Sequence, residues 1–206
     1  MKDFYGHNFL VTKDVLIPRP ETEQLIDMVL SLTGKPILPG VKPRQAVLRD
    51  DINIVDVGTG SGCIAITLAK KLPRSHVTAL DISEPALKVA KKNASRLEAS
   101  LTFIISHLLE KVNFTPDLVV ANLPYVDRDW PWLDLKALSR EPAIALFADN
   151  HGLALIYELI DECADRQVPH LILEADPCEH QDIINYAKQK GFSYREALGF
   201  ILYFSA

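Results

Sequence analysis

Three glycines alternate with other residues in the segment VDVGTGSGC, which follows an apolar run and precedes a helical pattern. Gly58, Gly60 and Gly62 allow the backbone to turn sharply there and to approach a ligand closely. The dinucleotide fingerprint is spaced G-x-G-x-x-G, whereas Cys63 occupies the place of its last glycine here. The spacing suits a loop that cradles an amino-acid moiety, with Asp56 placed to receive an ammonium group directly or through water. A plain tight turn is the alternative.

A second candidate group is the carboxylate of Asp81, which ends the next apolar run in the segment VTALDIS. An acidic residue about twenty positions beyond a glycine loop is placed to accept both hydroxyls of a ribose. Asp81 could instead cap the helix that is predicted to begin at Ser83. Because the carboxyl ends of adjacent parallel strands meet at one crevice of an open sheet, the loop and Asp81 together favour a nucleoside cofactor.

The third group is the quartet Asn122, Leu123, Pro124 and Tyr125, which follows the apolar run LVVA. A planar nitrogen would suit this quartet, because the Asn122 oxygen can accept one N–H and the Leu123 carbonyl another. Pro124 restricts Leu123 to an extended conformation, and Tyr125 can stack on a planar amide or base. An amide nitrogen has a delocalised lone pair, so its alignment is the main contribution that such a site can make. The alternative is a strand-terminal turn in which Asn122 caps and Tyr125 packs.

These groups need strands and helices that bring them to one edge of a sheet. From residue 52 onward, apolar runs typical of strands alternate with helical patterns, which predicts a mostly parallel sheet covered on both faces. The predicted strands cover 52–58, 76–82, 101–106, 117–122 and 170–175, and the predicted helices cover 21–32, 63–72, 83–97, 152–166 and 179–191. Ser83 is the expected N-cap of the third helix. Residues 34–51 are rich in proline and glycine and predict a connecting loop.

The two ends of the chain differ from this pattern. The N-terminal segment is predicted to begin with a short extended piece, FYGHNFLVTKDVLIP. The C-terminal stretch FSYREALGFILYFS holds two extended pieces and predicts an antiparallel hairpin, an ending typical of nucleoside-sulfonium methyltransferase folds. We expect one domain over 1–206, with an N-terminal segment, helix and loop over 1–50 and a cofactor-binding sheet core over 51–206.

Composition narrows the classes of partner. A net charge of -5 argues against broad electrostatic capture of nucleic acid. No apolar run approaches the length of a membrane span, and the N-terminus lacks the apolar stretch of a secretory signal. A cytoplasmic protein without a membrane partner is therefore expected. Cys63, Cys163 and Cys178 show no zinc-like pairing, and the cluster CEH at 178–180 lacks a second ligand pair, so we expect free thiols and no metal.

Several segments together resemble the HemK-type protein-(glutamine-N5) methyltransferases, which modify peptide-chain release factors. FYGHNFLVTKDVLIPRPETEQLID is similar to that family's characteristic N-terminal segment, with residues 19–23 as its RPETE. VDVGTGSGCIAI and ALDISEPALKVAKKNA are similar to its cofactor loop and ribose-binding strand. EPAIAL, HGL and LILEA continue the match, which covers nearly the whole chain.

The resemblance implies a class I S-adenosylmethionine-dependent methyltransferase fold, Rossmann-like, with a seven-stranded, mostly parallel sheet and a C-terminal antiparallel hairpin. It implies S-adenosyl-L-methionine as cofactor and the glutamine of the Gly-Gly-Gln loop of a release factor as substrate, with no nucleic acid partner expected. Carried over by position, the cofactor-binding residues are Asp56, Gly58, Thr59, Gly60, Ser61, Gly62, Asp81, Ile82, Leu108 and Asn122. The substrate-binding residues are Asn122, Leu123, Pro124 and Tyr125, of which Asn122 and Tyr125 are the catalytic pair.

The chain departs from the family pattern at three points. Leu123 replaces the first proline of the usual Asn-Pro-Pro-Tyr, and the resulting quartet also resembles that of rRNA adenine dimethyltransferases. His107 stands where the family usually has an acid that meets the adenine amino group; a neutral histidine could accept through one nitrogen, or be a surface residue. Bacterial members carry an N-terminal helical domain that docks on the release factor, and this chain starts where that domain would have ended.

Two further hypotheses therefore stand beside the leading one. A nucleic-acid adenine N6-methyltransferase could use the same quartet on an exocyclic amine, and Leu123 favours it. The acidic balance and the segment IPRPETE favour a protein substrate. A cofactor-binding module without turnover is the third hypothesis, motivated by Leu123 and His107.

Overall fold

The computed structural model describes residues 1–37, 45–127, 130 and 141–206, which contain five α-helices and nine strands. In chain order the elements are β1 (Lys2–Phe4), β2 (His7–Phe9), a 3-10 turn (Pro20–Thr22), α1 (Glu23–Leu32), β3 (Asn53–Val57), α2 (Cys63–Lys71), β4 (His76–Asp81), α3 (Glu84–Arg96), β5 (Thr102–Ile105), β6 (Leu118–Ala121), a 3-10 turn (Ala143–Ala145), α4 (Ala154–Asp165), β7 (His170–Glu174), α5 (His180–Gln189), β8 (Ser193–Leu198) and β9 (Ile201–Ser205). The predicted helices and strands of the core are confirmed within about two residues at each end. The part of the predicted loop at 38–44 lies outside the described residues.

Seven strands form one sheet in the order β5-β4-β3-β6-β7-β9-β8. The strands from β5 to β7 pair in parallel, whereas β9 runs antiparallel to both β7 and β8. The predicted fold class, including the terminal hairpin, is therefore confirmed. The chain builds outward from β3 through β4 to β5, and then crosses to place β6 on the other edge of β3. This reversal leaves a crevice at the carboxyl ends of β3 and its neighbours, where open α/β sheets bind ligands.

The central strands are buried on both faces, which explains their continuous apolar sequences. Alternate side chains point to opposite faces of the sheet. Ile54 and Val120 join a core cluster that contains residues of α1 and α2. Val55 and Val119 join a second cluster that contains residues of α4 and α5. Two helical layers thus clamp β3 and β6 and hold the loops that follow them in fixed positions.

The N-terminal segment is not one extended piece, and that prediction is wrong. β1 and β2 form an antiparallel hairpin whose turn places Tyr5 and Gly6 at φ 51° and 74°. The Tyr5 N–H donates to Glu23 Oε1 at 2.7 Å and its hydroxyl donates to Asp27 at 2.8 Å, so the hairpin docks on α1. A Tyr-Gly turn lacks the Asn-Gly or Asp-Gly signature of short hairpins, which is why the pattern does not reveal it.

Three local expectations are tested by the structure. The Ser83 hydroxyl accepts the Ala86 N–H at 3.3 Å, which confirms Ser83 as the N-cap of α3. Cys63, Cys163 and Cys178 are all free thiols, and the first two are buried. Among the residues that the structure describes, no helix combines the length and the apolar character needed to cross a membrane.

Candidate active site

A cavity of about 330 Å³ lies at the carboxyl ends of β3, β4, β5 and β6. The segment that leads into α1 covers one side of it through residues between Asp14 and Thr22. Ten of the predicted site residues line this cavity: Gly58, Thr59, Gly60, Ser61, Asp81, Ile82, Leu108, Asn122, Leu123 and Pro124. The other three, Asp56, Gly62 and Tyr125, belong to the described residues but do not line it. The fold therefore brings the three candidate groups of the sequence to one crevice.

The glycine loop and Asp81 are tied together by backbone hydrogen bonds. The Gly60 N–H donates to Asp81 Oδ2 at 2.8 Å, and the Ser83 N–H donates to Oδ1 at 2.8 Å. Burial raises the pKa of Asp81, and these two N–H groups oppose the rise. Asp81 thus has both a capping contact with Ser83 and a position on the cavity wall. Each of its oxygens keeps accepting capacity for a ligand hydroxyl.

Gly62 serves a different purpose from the other glycines of the loop. It has a φ of 82°, and a Cβ added there would lie 2.9 Å from Ile66 Cδ1 and 3.1 Å from the Ala90 Cβ. A side chain at this position would therefore push α2 and α3 apart. The place of Gly62 as a cofactor-binding residue stays a prediction.

Asp56 lies behind the loop and is completely buried. Burial raises its pKa to about 7, while hydrogen bonds from Thr59 and Ala65 oppose the rise and the charge of Asp81 adds to it. Both hydrogen bonds reach the same atom, Oδ2, at 2.6 Å from Thr59 Oγ1 and 3.2 Å from the Ala65 N–H. Its other oxygen, Oδ1, has no hydrogen-bond partner among the described residues. A buried carboxylate oxygen without a donor is a place where a cationic ligand group would be stabilised.

The quartet follows β6 directly and is anchored to two other elements. The Asn122 side-chain nitrogen donates to Thr22 Oγ1 at 3.1 Å, which links β6 to the turn before α1. Leu123 is buried, and its Cδ2 would lie 3.0 Å from a Cβ added at Gly58. The close contact between Leu123 and the glycine loop shows why a side chain at Gly58 would disturb both groups at once.

Tyr125 is placed differently from the stacking role that the sequence suggests. Its hydroxyl donates to Glu174 Oε1 at 3.4 Å, and its ring packs against the core cluster that contains residues of α4 and α5. Burial, followed by the charge of Glu174, raises the pKa of Tyr125 well above its ordinary value. The packing alternative therefore describes Tyr125 in this conformation, and a direct role in substrate binding stays a prediction.

Three residues of the site region are assigned no role by sequence reasoning: Thr22, Glu141 and Glu174. The Glu141 side chain is 4% exposed, forms an ion pair with Arg19 and accepts the Ile17 N–H at 2.9 Å, so it fixes the segment that covers the cavity. Glu174 ends β7 and is 2% exposed. An acid at the carboxyl end of the apolar run LILE was the available signal for Glu174, because ligands of such sheets bind at that edge.

His107 lines the cavity, and its Nδ1 lies 3.6 Å from Glu158 Oε1. His107, Glu158 and Glu162 offer ligand atoms within 4.8 Å of one another, a group that the sequence pattern does not reveal. Glu162 already accepts the Leu109 N–H at 2.8 Å, which gives it a structural partner in the protein.

His180, in the CEH cluster, has its Nε2 3.2 Å from the Ala175 carbonyl oxygen.

Sequence comparison with known proteins finds methyltransferases, which agrees with the arrangement of residues at this cavity. The family described as the methyltransferase small domain matches residues 44–131. The chain is 41% identical over 162 residues to the release factor glutamine methyltransferase of Enterococcus faecalis, covering 78% of this chain and 53% of that protein. It is 43% identical over 170 residues to the protein of the same name from Lactococcus lactis subsp. lactis, covering 82% of this chain and 56% of that protein. The chain thus spans about half the length of these curated relatives.

A solved structure shares the fold at low sequence identity. Magnesium protoporphyrin IX methyltransferase from Synechocystis PCC 6803, solved with bound S-adenosylmethionine, superposes with a TM-score of 0.56 at 22% identity. The match covers 90% of this chain and 79% of that one. At this level of identity the likeness concerns the fold alone.

Proposed function

We propose that this chain is a methyltransferase domain of the HemK type and that it transfers a methyl group from S-adenosyl-L-methionine to the side-chain amide N5 of a glutamine in a protein. The substrate that fits best is the glutamine of the Gly-Gly-Gln loop of a peptide-chain release factor, since the relatives are named for that reaction. A release factor is then the protein partner, and the reaction takes place in the cytoplasm.

The residues of the cavity fit the cofactor. Bound S-adenosyl-L-methionine supplies an electrophilic methyl group on a sulfonium centre. Asp81 would hold the ribose hydroxyls, and the backbone of Gly58 to Ser61 allows close approach of the amino-acid part. The unpartnered Oδ1 of Asp56 would receive the ammonium group, directly or through water. Leu108 and Ile82 line the cavity and give an apolar surface for the adenine.

One observation carries the assignment of the acceptor. Asn122 lines the cavity, and its side-chain nitrogen donates to Thr22. The side-chain oxygen Oδ1 is therefore the part of this amide that is left to accept a substrate N–H. The Leu123 carbonyl would accept the second N–H, and Pro124 restricts Leu123 to the extended conformation that presents it. Holding both hydrogens of a primary amide orients its nitrogen without a basic or nucleophilic side chain.

The proposal is tested by following label from S-adenosyl-L-methionine into a purified release factor, with an rRNA fragment in a parallel reaction. We expect label in the Gly-Gly-Gln peptide and none when its glutamine is changed to alanine. Label in the RNA would instead support the adenine N6-methyltransferase hypothesis, which rests on Leu123. Bound cofactor with label in neither substrate would contradict catalysis by this chain and favour a binding module.

Cofactor affinity should depend on pH through Asp56. The pKa of Asp56 is raised to about 7 in the free protein, and an ammonium group beside it would favour the ionised form. Affinity for S-adenosylhomocysteine should therefore rise about tenfold between pH 6 and pH 8, with release of a proton on binding. Isothermal titration in buffers of different ionisation enthalpy measures both quantities.

Two controls isolate the contribution of Asp56. In Asp56→Asn the affinity should be lower and nearly independent of pH, because Asn keeps an acceptor for Thr59 but carries no charge. 5′-Methylthioadenosine, which lacks the ammonium group, should bind the wild-type protein with an affinity that does not change between pH 6 and pH 8. An equal dependence of affinity on pH for both ligands would show that Asp56 does not face the ammonium group.

A further inference from the structure

Glu174 lies next to the quartet, and the burial of its carboxyl group there is energetically costly. The register of β6 and β7 pairs Ala121 with Leu173, so the next positions along these parallel strands are Asn122 and Glu174. Glu174 Oε2 is buried and has no hydrogen-bond partner among the described residues. An apolar side chain at the end of β7 would avoid the cost of burying a carboxyl group. A purely structural reason for an acid here is therefore weak.

The donors around Glu174 belong to the site. The Tyr125 hydroxyl donates to Oε1 at 3.4 Å. Burial raises the pKa of Glu174 to about 7, and hydrogen bonding from Thr22, Tyr125 and Asn122 opposes the rise, while the charge of Glu21 adds to it. Two side chains of the quartet, Asn122 and Tyr125, and the neighbouring Thr22 thus act on one carboxyl group.

The direction of these hydrogen bonds determines which end of the Asn122 amide meets the substrate. The Asn122 nitrogen donates to Thr22 Oγ1, so the Thr22 hydroxyl hydrogen is free to be donated onward to Glu174. An ionised Glu174 only accepts, and with the Thr22 hydroxyl hydrogen directed to it, the Thr22 oxygen can satisfy only the nitrogen end of the Asn122 amide. Without them, the amide could turn over and present N–H groups to the substrate nitrogen, which also carries hydrogens.

We propose that Glu174 is a positioning residue that, together with Thr22, holds the nitrogen of the Asn122 side chain away from the substrate and leaves its oxygen to accept the substrate N–H. This inference rests on the proposed function, because it explains how the glutamine amide is recognised. Glu174 itself does not contact the substrate. It acts through Asn122, and it also holds the Tyr125 hydroxyl.

The first test needs no substrate. In protein labelled with ¹⁵N at asparagine, the Nδ2 hydrogens of Asn122 should exchange slowly with water, and Asn122→Ala assigns the signal by its loss. Exchange should become at least about tenfold faster in Glu174→Met, with an intermediate effect in Glu174→Gln, which keeps one acceptor. Thr22→Val should behave like Glu174→Met, whereas Thr22→Ser, which keeps the hydroxyl, should restore slow exchange.

The second test is kinetic. With a release factor as substrate, Glu174→Gln should lower kcat about tenfold and leave KM and the Kd of S-adenosylhomocysteine within about twofold. Glu179→Gln is the matched control, because Glu179 is also a buried glutamate, and neither of its carboxylate oxygens has a hydrogen-bond partner among the described residues. This variant should leave both kcat and the exchange of Asn122 unchanged. Thermal unfolding of every variant verifies that the fold is retained.

The outcomes separate this inference from the proposed function. If no glutamine is methylated but the Asn122 hydrogens are protected and Glu174→Met exposes them, the positioning role stands and the proposed function fails. If glutamine is methylated while exchange and kcat are unchanged in Glu174→Met and Glu174→Gln, the positioning role is wrong and the proposed function stands. Fast exchange of Asn122 in the wild-type protein would overturn the inference whatever the activity.

Discussion

Asn122→Ala should reduce methyl transfer by at least about a thousandfold, the largest loss expected for any single replacement in this protein. Under the proposed function, removing the side chain would take away the acceptor for one substrate N–H, so the amide nitrogen would no longer be aligned with the methyl donor. It also leaves the Thr22 hydroxyl without its donor. Single-turnover kinetics with labelled S-adenosyl-L-methionine and a release factor measure the loss.

Two measurements show whether the loss of methyl transfer arises from the contact with the substrate amide and not from weaker cofactor binding. The Kd of S-adenosylhomocysteine should stay within about threefold of wild type, because the proposed cofactor contacts would lie mostly on the glycine loop and Asp81. Leu123→Pro, which gives the quartet usual in the family, should retain transfer within about threefold, since the proposed contact with the substrate uses only the carbonyl of this residue. Wild-type turnover in Asn122→Ala would refute the role of the Asn122 amide.

Asp81→Ala should raise the Kd of S-adenosylhomocysteine about a hundredfold, or roughly 2.7 kcal/mol. Two hydrogen bonds from ribose hydroxyls to a carboxylate would be lost, and the expected change is close to the lower limit for two such bonds, since hydrogen bonds to charged groups contribute about 1.5 to 3 kcal/mol each. The Gly60 and Ser83 N–H groups would also lose their acceptor, so the glycine loop would be less well ordered. Isothermal titration gives the change in Kd.

The comparison with Asp81→Asn separates these two contributions. Asn keeps an oxygen that can accept from Gly60 or Ser83 but carries no charge, so its Kd should lie between wild type and Asp81→Ala. Adenosine alone should show the same relative losses, because the contact is with the ribose. An unchanged Kd in Asp81→Ala would mean that Asp81 is only a cap for the turn before α3, which is the alternative that the Ser83 contact leaves open.

The core of this fold is determined by local sequence pattern. Buried parallel strands need continuous apolar runs, and the helices between them need an apolar stripe, so 52–58 and 63–72 identify β3 and α2 directly. The glycine loop and Asp81 follow, because the carboxyl ends of parallel strands must share one edge. The N-terminal hairpin escapes this reasoning, because its strands are three residues each and their stability comes from docking on α1.

Tertiary structure alone decides how the quartet is supported. Asn122 is separated from Thr22 by 100 positions, and Tyr125 from Glu174 by 49, so no local pattern can indicate these contacts. The same limit applies to Glu141, whose hydrogen bond to Ile17 spans 124 positions. Sequence by itself determined which residues lie at the edge of the sheet, because strand polarity is a property of the chain. Which of them touch, and whether Tyr125 faces the cavity or Glu174, was decided by packing, because side-chain direction depends on neighbours that only the folded chain brings together.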